Sequence, residues 1–134
     1  MDRKLNVLLV DDSRSVLDKL GRILGEIEDL SIVGTAQTGA AAIRMTNESR
    51  PDLVLLDIVM PGLDGLSALR TIRSMHPEIV VAMVSSLAGD MAMEREAFKL
   101  GACQIIGKPF DADMIEALIE KIRLEIETVS SAVV

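Results

Sequence analysis

Residues 5–16, LNVLLVDDSRSV, place two neighbouring carboxylates, Asp11 and Asp12, directly after an almost unbroken apolar run. A run of this length and composition is typical of a strand that is buried on both faces of a parallel sheet. One Asp after such a strand could act as a turn former or helix cap. Two adjacent like charges need a further partner, and the rest of the chain has to supply it.

Four more short apolar runs follow, and segments with the spacing of amphipathic helices separate them. The predicted strands are 5–10, 30–36, 52–57, 78–85 and 102–107, and the predicted helices are 13–27, 38–48, 64–76, 90–100 and 111–126. This alternation predicts an α/β fold with a doubly wound, five-stranded parallel sheet and five helices. We expect one domain over residues 1–127 and a frayed C-terminal tail over 128–134.

Composition and charge argue against several classes of function. Lys and Arg number 14 against 21 Asp and Glu, and the net charge of −7 argues against a nucleic-acid or membrane-surface binder. No apolar run approaches the ~18–20 residues of a membrane span, and no secretory signal is recognisable. Because Cys103 is the one cysteine, no intramolecular disulfide can form, and we expect a cytoplasmic protein.

Polar side chains follow four of the five predicted strands: Asp11 and Asp12, Asp57, Ser85 and Lys108. In such folds ligands bind beyond the carboxyl ends of the strands, so these side chains are expected to meet. Two like charges ~4 Å apart repel by about 4 kcal/mol at an effective dielectric constant near 20. Clustered carboxylates therefore keep a proton or bind a cation, and oxygen ligands without His or Cys favour Mg²⁺.

The same group of residues has a chemical use beyond binding a cation. A carboxylate beside Mg²⁺, with a hydroxyl and an ammonium nearby, is suited to accept a phosphoryl group. In this hypothesis Asp57 attacks phosphorus in line, while Ser85 and Lys108 contact the phosphoryl oxygens.

Four motifs, in this order, resemble the receiver domain of bacterial two-component response regulators, of the single-domain chemotaxis type. They are VDD (10–12), LLDIVMPGLDG (55–65), MVSS (83–86) and KPF (108–110). The resemblance extends from residue 5 to about residue 127. It implies the flavodoxin-like receiver fold with strand order 2-1-3-4-5.

The resemblance also implies a set of metal ligands. Asp12 and Asp57 would bind Mg²⁺ directly, Asp11 would act through a water molecule, and the backbone carbonyl of Val59 would complete the protein ligands.

The resemblance further implies roles in phosphorylation. Asp57 would be the phosphoacceptor, Ser85 the hydroxyl that moves to meet the phosphoryl group, and Lys108 the lysine that contacts it. The Lys108–Pro109 peptide bond is expected to be cis.

Three features depart from the family pattern. Ile105 stands three residues before Lys108, where the family has an aromatic residue, so any switch movement there would be that of Ile105. Val59 and Leu87 occupy positions that are polar in fast self-dephosphorylating members, and we expect a long-lived phosphoaspartate. MVSSLAG (83–89) is closer to receivers attached to chemotaxis methylesterases, and since the chain leaves no room for an esterase domain, only the receiver part is expected.

The leading interpretation is a stand-alone phosphorelay switch. A sensor histidine kinase or a phosphotransfer protein would phosphorylate it, and its binding to a downstream protein target would change. The switch and partner surface would comprise Ser85, Ile105, Lys108, Met91 and Glu94. We expect a monomer or a weak phosphorylation-dependent dimer, with no enzymatic activity beyond self-phosphotransfer and slow autodephosphorylation.

Other readings of the same residues stay open. The chain could be a phosphate sink, a relay intermediate or a receiver that binds its partner without phosphorylation. An aspartyl-phosphate phosphatase is disfavoured because the best nucleophile follows strand three rather than strand one.

Several residues outside this group have simpler interpretations. His76 is predicted to be a solvated helix-terminal histidine, and Cys103 is predicted to lie in the core. Met114 either fills the core or belongs to a pliable partner surface around the fourth and fifth helices. Met91 and Met93 cannot both face inward from one helix, so one of them is expected to be exposed.

Overall fold

Five strands and five helices alternate along the chain in a computed structural model, which describes residues 4–133 and their side chains through residue 127. The strands are β1 (Leu5–Val10), β2 (Leu30–Ala36), β3 (Leu53–Leu56), β4 (Val80–Ser85) and β5 (Gln104–Gly107). The helices are α1 (Arg14–Gly25), α2 (Gly39–Ser49), α3 (Gly65–Met75), α4 (Met91–Lys99) and α5 (Ala112–Val133). All ten predicted elements are confirmed, and apart from the end of α5 their ends agree within one or two residues.

The five strands form one parallel sheet in the order β2-β1-β3-β4-β5. The predicted α/β class and strand order are confirmed. The register aligns the strand ends: Val10 pairs with Ala36 on one side and Leu56 on the other, and Leu56 pairs with Met83. Residues that follow these ends therefore leave the sheet at one common edge.

Side chains that alternate along the central strands belong to two separate hydrophobic clusters, one on each face of the sheet. Leu8, Val54 and Val81 point into a cluster with side chains of α2, α3 and α4. Their neighbours Leu9 and Leu55 point into a second cluster, with side chains of α1 and α5. Because helices cover both faces, the central strands are apolar throughout rather than alternating.

Every helix begins after a side chain that accepts a backbone N–H from its first turn. These caps are Ser13, Thr38, Asp64, Asp90 and Asp111. Each cap satisfies one of the backbone donors that a helix leaves free at its start. Several of the helices thus begin right at the sheet edge where the polar side chains gather.

Helix α5 is longer than predicted. It continues through Val133, so the expected end at residue 126 was wrong. The apolar spacing lapses after Ile126, but no Gly or Pro follows to stop the helix. Fraying of residues 128–134 stays a prediction, and Val134 lies outside the described residues.

His76 is not the solvated residue that was predicted. It is only 6% exposed, and its Nε2 lies 2.7 Å from Oδ1 of Asn47. The end of α3 packs beside α2, which buries the imidazole and gives it a polar partner.

The other predictions about single side chains were partly right and partly wrong. Met91 is 73% exposed and Met93 is buried, as their spacing requires. Met114 is exposed, so of its two alternatives the core is wrong. Cys103 is half-buried against the α1–α5 cluster, and burial raises the pKa of its thiol to about 12. Within residues 4–133, the structure contains no helix that is both long and apolar enough to cross a membrane.

Candidate functional site

The aligned ends of β1 and β3 bring the predicted carboxylates together. The backbone N–H of Asp57 donates to the carbonyl of Val10 at 3.0 Å, and that of Asp11 donates to Ala36 at 3.0 Å. One carboxylate oxygen from each of Asp11, Asp12 and Asp57 lies within 4.8 Å of the others. The predicted acidic cluster is therefore present in the structure.

Two adjacent acids of this cluster differ sharply in environment. Asp11 is 1% exposed, whereas Asp12 is exposed to solvent. Both oxygens of Asp11 already have partners, since Oδ1 accepts the backbone N–H of Ser13 at 2.9 Å and Oδ2 lies 2.6 Å from Nζ of Lys108. Asp12 thus has the more accessible carboxylate, and Asp11 is held in place by the protein.

Lys108 points into the cluster from the end of β5. Its backbone N–H donates to the carbonyl of Ser85 at 3.0 Å, which fixes the loop against β4. Its Nζ lies 3.3 Å from Oδ2 of Asp57, in addition to its contact with Asp11. The Lys108–Pro109 bond is cis, as expected.

The charges of the site shift two pKa values. Burial and the neighbouring Asp11 raise the pKa of Asp57 above its ordinary value, although the nearby Lys108 opposes the shift. Burial alone would lower the pKa of Lys108, but its hydrogen bond to Asp11 and the charge of Asp57 outweigh that effect and raise it. The ionised form of Asp57 is therefore costly, while the ammonium is favoured.

The residues present fit a divalent cation. Three carboxylates face one ammonium, so the site has an excess of negative charge. Oδ1 of Asp57 is buried and has no hydrogen-bond partner among the described residues. An unpartnered buried carboxylate oxygen beside an exposed carboxylate is suited to a hard cation such as Mg²⁺.

Ser85 ends β4 at the same edge and is fully buried. Its Oγ accepts the backbone N–H of Leu87 at 3.0 Å. This contact uses the oxygen as an acceptor. Among the described residues the O–H has no acceptor, so it can donate to an incoming oxygen.

The loop between β3 and α3 folds tightly behind Asp57. The N–H of Gly65 donates to the carbonyl of Ile58 at 2.7 Å. A Cβ on Gly65 would lie 2.0 Å from the carbonyl oxygen of Asp57, so only glycine lets α3 begin this close. The side chain of Val59 is exposed in this loop, and the role of its carbonyl stays a prediction.

The residues predicted for the switch surface lie around β4, α4 and β5. Ile105 is partly buried in β5, opposite Met83. Met91 begins α4, and Oε2 of Glu94 accepts the backbone N–H of Gly89 at 2.6 Å. Glu94 thus holds the β4–α4 loop through this hydrogen bond. The charge pattern of the helix did not predict this contact.

Two residues near the site were missed from the sequence. Nε2 of Gln37, after β2, donates to the carbonyl of Asp12 at 3.3 Å. Lys19 of α1 reaches the loop after β5, where it contacts Phe110. Gln37 could have been found as the polar residue after the second strand, but nothing in the helical pattern distinguishes Lys19 from a solvated lysine.

Comparison with known proteins decides the family. A family model described as the response regulator receiver domain matches residues 7–120. The chain belongs to that family. A receiver of the two-component, chemotaxis-like type was predicted from the motifs, and this prediction is confirmed.

Curated relatives of two kinds match this receiver. A protein-glutamate methylesterase/protein-glutamine glutaminase of group 3 operon from Rhodopseudomonas palustris is 40% identical over 131 residues, covering 97% of this chain and 36% of that protein. The chemotaxis protein CheY of Listeria monocytogenes is 38% identical over 117 residues, covering 87% of this chain and 97% of that protein. The receiver thus spans about a third of the methylesterase and nearly all of the CheY protein.

A solved structure shows the same fold. In the CheX–CheY–BeF3–Mg²⁺ complex from Borrelia burgdorferi, the matched chain is 30% identical and superposes with a TM-score of 0.84, covering 90% of each chain.

Proposed function

We propose that this receiver acts on its own as a response regulator, which accepts a phosphoryl group on Asp57 and thereby changes its binding to a downstream protein. A sensor histidine kinase or a phosphotransfer protein supplies the phosphoryl group. The observation that carries the proposal is the position of Lys108, whose Nζ lies 3.3 Å from one oxygen of a buried Asp57 whose other oxygen has no partner among the described residues.

The metal would be held by the acidic cluster. Asp12 and Asp57 would bind Mg²⁺ directly, the carbonyl of Val59 would add a ligand, and Asp11 would act through water. The contacts of Asp11 support this division, since Ser13 and Lys108 already occupy its oxygens. When bound, Mg²⁺ neutralises charge on the phosphoryl group and on the attacking carboxylate.

The transfer step uses groups that the protein already positions. A carboxylate oxygen of Asp57 attacks the phosphorus of the phosphohistidine in line. The new O–P bond forms as the P–N bond breaks, and the electron pair leaves with the imidazole nitrogen. The ammonium of Lys108 neutralises one phosphoryl oxygen, and the hydroxyl of Ser85 donates to another.

The new charge would then change the surface. Phosphorylated Asp57 would carry about −1.5 to −2 charges beside Ser85 and Lys108, which are joined through their backbones. To invert a 1:99 equilibrium, phosphorylation must favour the active state by about 5.5 kcal/mol. Charge-assisted contacts made only to the phosphoryl group supply that bias, and the β4–α4 loop, Ile105, Met91 and Glu94 form the surface that responds.

Two further expectations belong to the same proposal. The partners are proteins, as in the structural relative in which CheY forms a complex with CheX. The protein works in the cytoplasm as a monomer or a weak phosphorylation-dependent dimer. It has no enzymatic activity beyond phosphotransfer to itself and slow hydrolysis of its own phosphoaspartate.

Intact-mass measurement tests the proposal. Wild type is incubated with Mg²⁺ and a small phosphodonor such as phosphoramidate, beside Asp57→Asn and the control Asp18→Asn, which alters an exposed acid of α1. We expect wild type and the control to gain the mass of one phosphoryl group, whereas Asp57→Asn gains none. Equal modification of all three proteins, or of none, would overturn the proposal.

A further inference from the structure

Lys19 of α1 makes two contacts with Phe110. Its Nζ donates a hydrogen bond to the carbonyl oxygen of Phe110 and lies 4.5 Å from the centre of the Phe110 ring. Phe110 is only 5% exposed and belongs to the same hydrophobic cluster as Leu17 and Leu20 of α1. One ammonium thus contacts both the backbone and the side chain of a residue far away in the sequence.

Phe110, the partner of Lys19, lies on the loop that carries Lys108. Phe110 is two residues after Lys108, across Pro109, and is followed by Asp111, the cap of α5. On its other side, this loop is fixed by the hydrogen bond from the N–H of Lys108 to Ser85. Lys108 is therefore held between two anchors, β4 before it and α1 after it.

The same helix also follows two of the acids in the site. Helix α1 begins directly after Asp11, Asp12 and the cap Ser13. The contact between Lys19 and Phe110 therefore joins the helix that follows Asp11 to the loop that carries Lys108. The Nζ of Lys108 lies 2.6 Å from Oδ2 of Asp11.

The partners of Lys19 are not acidic. Among the described side chains it forms no ion pair, and its contacts are a carbonyl oxygen and an aromatic face. Such contacts are directional, so the ammonium orients the loop rather than merely adding positive charge.

We infer that Lys19 is a positioning residue for phosphoryl uptake, because it holds the loop after β5 so that the ammonium of Lys108 stays at Asp57. This inference rests on the proposed function. Lys19 touches neither the acidic cluster nor the phosphoryl group and acts through Lys108.

Three variants of α1 test the inference. Lys19→Met removes the ammonium and keeps the length of the side chain, and Lys19→Arg keeps the charge and can still donate to Phe110. Arg22→Met removes a positive charge from an exposed position three residues further along the same helix. The rate of phosphoryl uptake is measured by intact mass over a range of phosphodonor concentrations, and Mg²⁺ affinity is measured by calorimetry.

We expect Lys19→Met to lower the maximal uptake rate about tenfold, because a small misplacement of a reacting group is costly. Its half-saturating donor concentration and its Mg²⁺ affinity should not weaken, since the three carboxylates stay in place. Lys19→Arg should recover most of the rate, and Arg22→Met should match wild type.

Each other outcome has a separate meaning. Equal maximal rates for Lys19→Met and wild type overturn the positioning role, even if Lys19→Met is less stable. Equal losses of rate and Mg²⁺ affinity also overturn it, because they indicate general damage to the site. If wild type itself takes up no phosphoryl group, the proposed function fails instead. In that case the positioning role is tested by NMR. Lys19→Met should shift the signals of the Lys108 side chain, and Arg22→Met should not. If Lys19→Met leaves those signals unchanged, the positioning role fails too.

Discussion

Asp57→Asn is expected to stabilise the protein in the absence of a divalent cation. The carboxylate of Asp57 is buried, only 3% exposed, and both burial and the nearby Asp11 raise its pKa. Folding therefore favours the uncharged form of this side chain. Asparagine has nearly the same shape, is always uncharged and can still accept a hydrogen bond from Lys108.

The size of the effect follows from three opposing contributions. At an effective dielectric constant near 20, the Lys108 ammonium 3.3 Å away attracts the Asp57 carboxylate by about 5 kcal/mol. A second carboxylate within 4.8 Å repels it by at least about 3.5 kcal/mol. The remaining attraction of at most about 1.5 kcal/mol is smaller than the several kcal/mol that desolvating a buried carboxylate costs. We expect Asp57→Asn to be more stable by about 1–2 kcal/mol near neutral pH.

The pH dependence has a definite sign. Because the pKa of Asp57 is higher in the folded state than its ordinary 3.8, the folded protein binds more protons than the unfolded chain over that range. The contribution of Asp57 to the stability of wild type is therefore greatest below pH 3.8 and falls as the pH rises through the folded-state pKa. The advantage of Asp57→Asn is absent at low pH and grows toward pH 7.

Urea unfolding followed by far-ultraviolet circular dichroism measures these differences, since the chain has no Trp or Tyr to report by fluorescence. The measurements are made with a chelator and with Mg²⁺. At about 100 times its dissociation constant, Mg²⁺ stabilises wild type by about 2.7 kcal/mol, and Asp57→Asn should gain far less. The order of stability should therefore reverse when Mg²⁺ is added.

Asp12→Asn is the matched control. Asp12 is exposed, so this change should alter the stability of the metal-free protein by less than about 0.5 kcal/mol while reducing the gain from Mg²⁺. The reasoning is wrong if Asp57→Asn is less stable than wild type in the chelator at pH 7. It is equally wrong if the advantage of Asp57→Asn does not depend on pH.

Three further predictions concern the core, a helix end and the phosphorylated form. Leu55→Ala should lower the free energy of unfolding by about 3–4 kcal/mol, because Leu55 is fully enclosed in the α1–α5 cluster, and a loss below about 1 kcal/mol in urea unfolding would contradict this. Arg50→Gly should raise the free energy of unfolding by about 0.5–1 kcal/mol, because Arg50 ends α2 in a left-handed conformation with a φ of 47° that glycine adopts without strain. A lower urea midpoint than that of wild type would refute this. Val59→Asn or Leu87→Glu should shorten the phosphoaspartate lifetime about tenfold by orienting water, and a wild-type half-life of seconds would exclude the long lifetime expected from these apolar residues.

Much of the fold could be predicted because its signals are local. Runs such as 52–57 and 78–85 are apolar without alternation, and the segments between them repeat at helical spacing. Those patterns predicted all ten elements, and the family resemblance supplied the strand order. The end of α5 could not be predicted, because helix continues past residue 126 without an apolar stripe.

The members of the acidic cluster were also predictable, but their individual environments were not. Position after a strand was enough to select Asp11, Asp12, Asp57 and Lys108. It could not show that Asp11 is enclosed and paired with Lys108 while Asp12 faces solvent. Adjacent residues leave a strand in different directions, and only the packing around them decides which one loses its water.

By itself, the sequence determined that parallel strands end in carboxylates, a hydroxyl and an ammonium at one edge, because periodicity and strand ends can be read from neighbouring residues. Only the tertiary structure decided that Lys19 donates a hydrogen bond to Phe110, 91 residues away, and that His76 lies buried against Asn47, 29 residues away. Burial and distance between remote residues depend on how whole helices pack, and no local pattern records them.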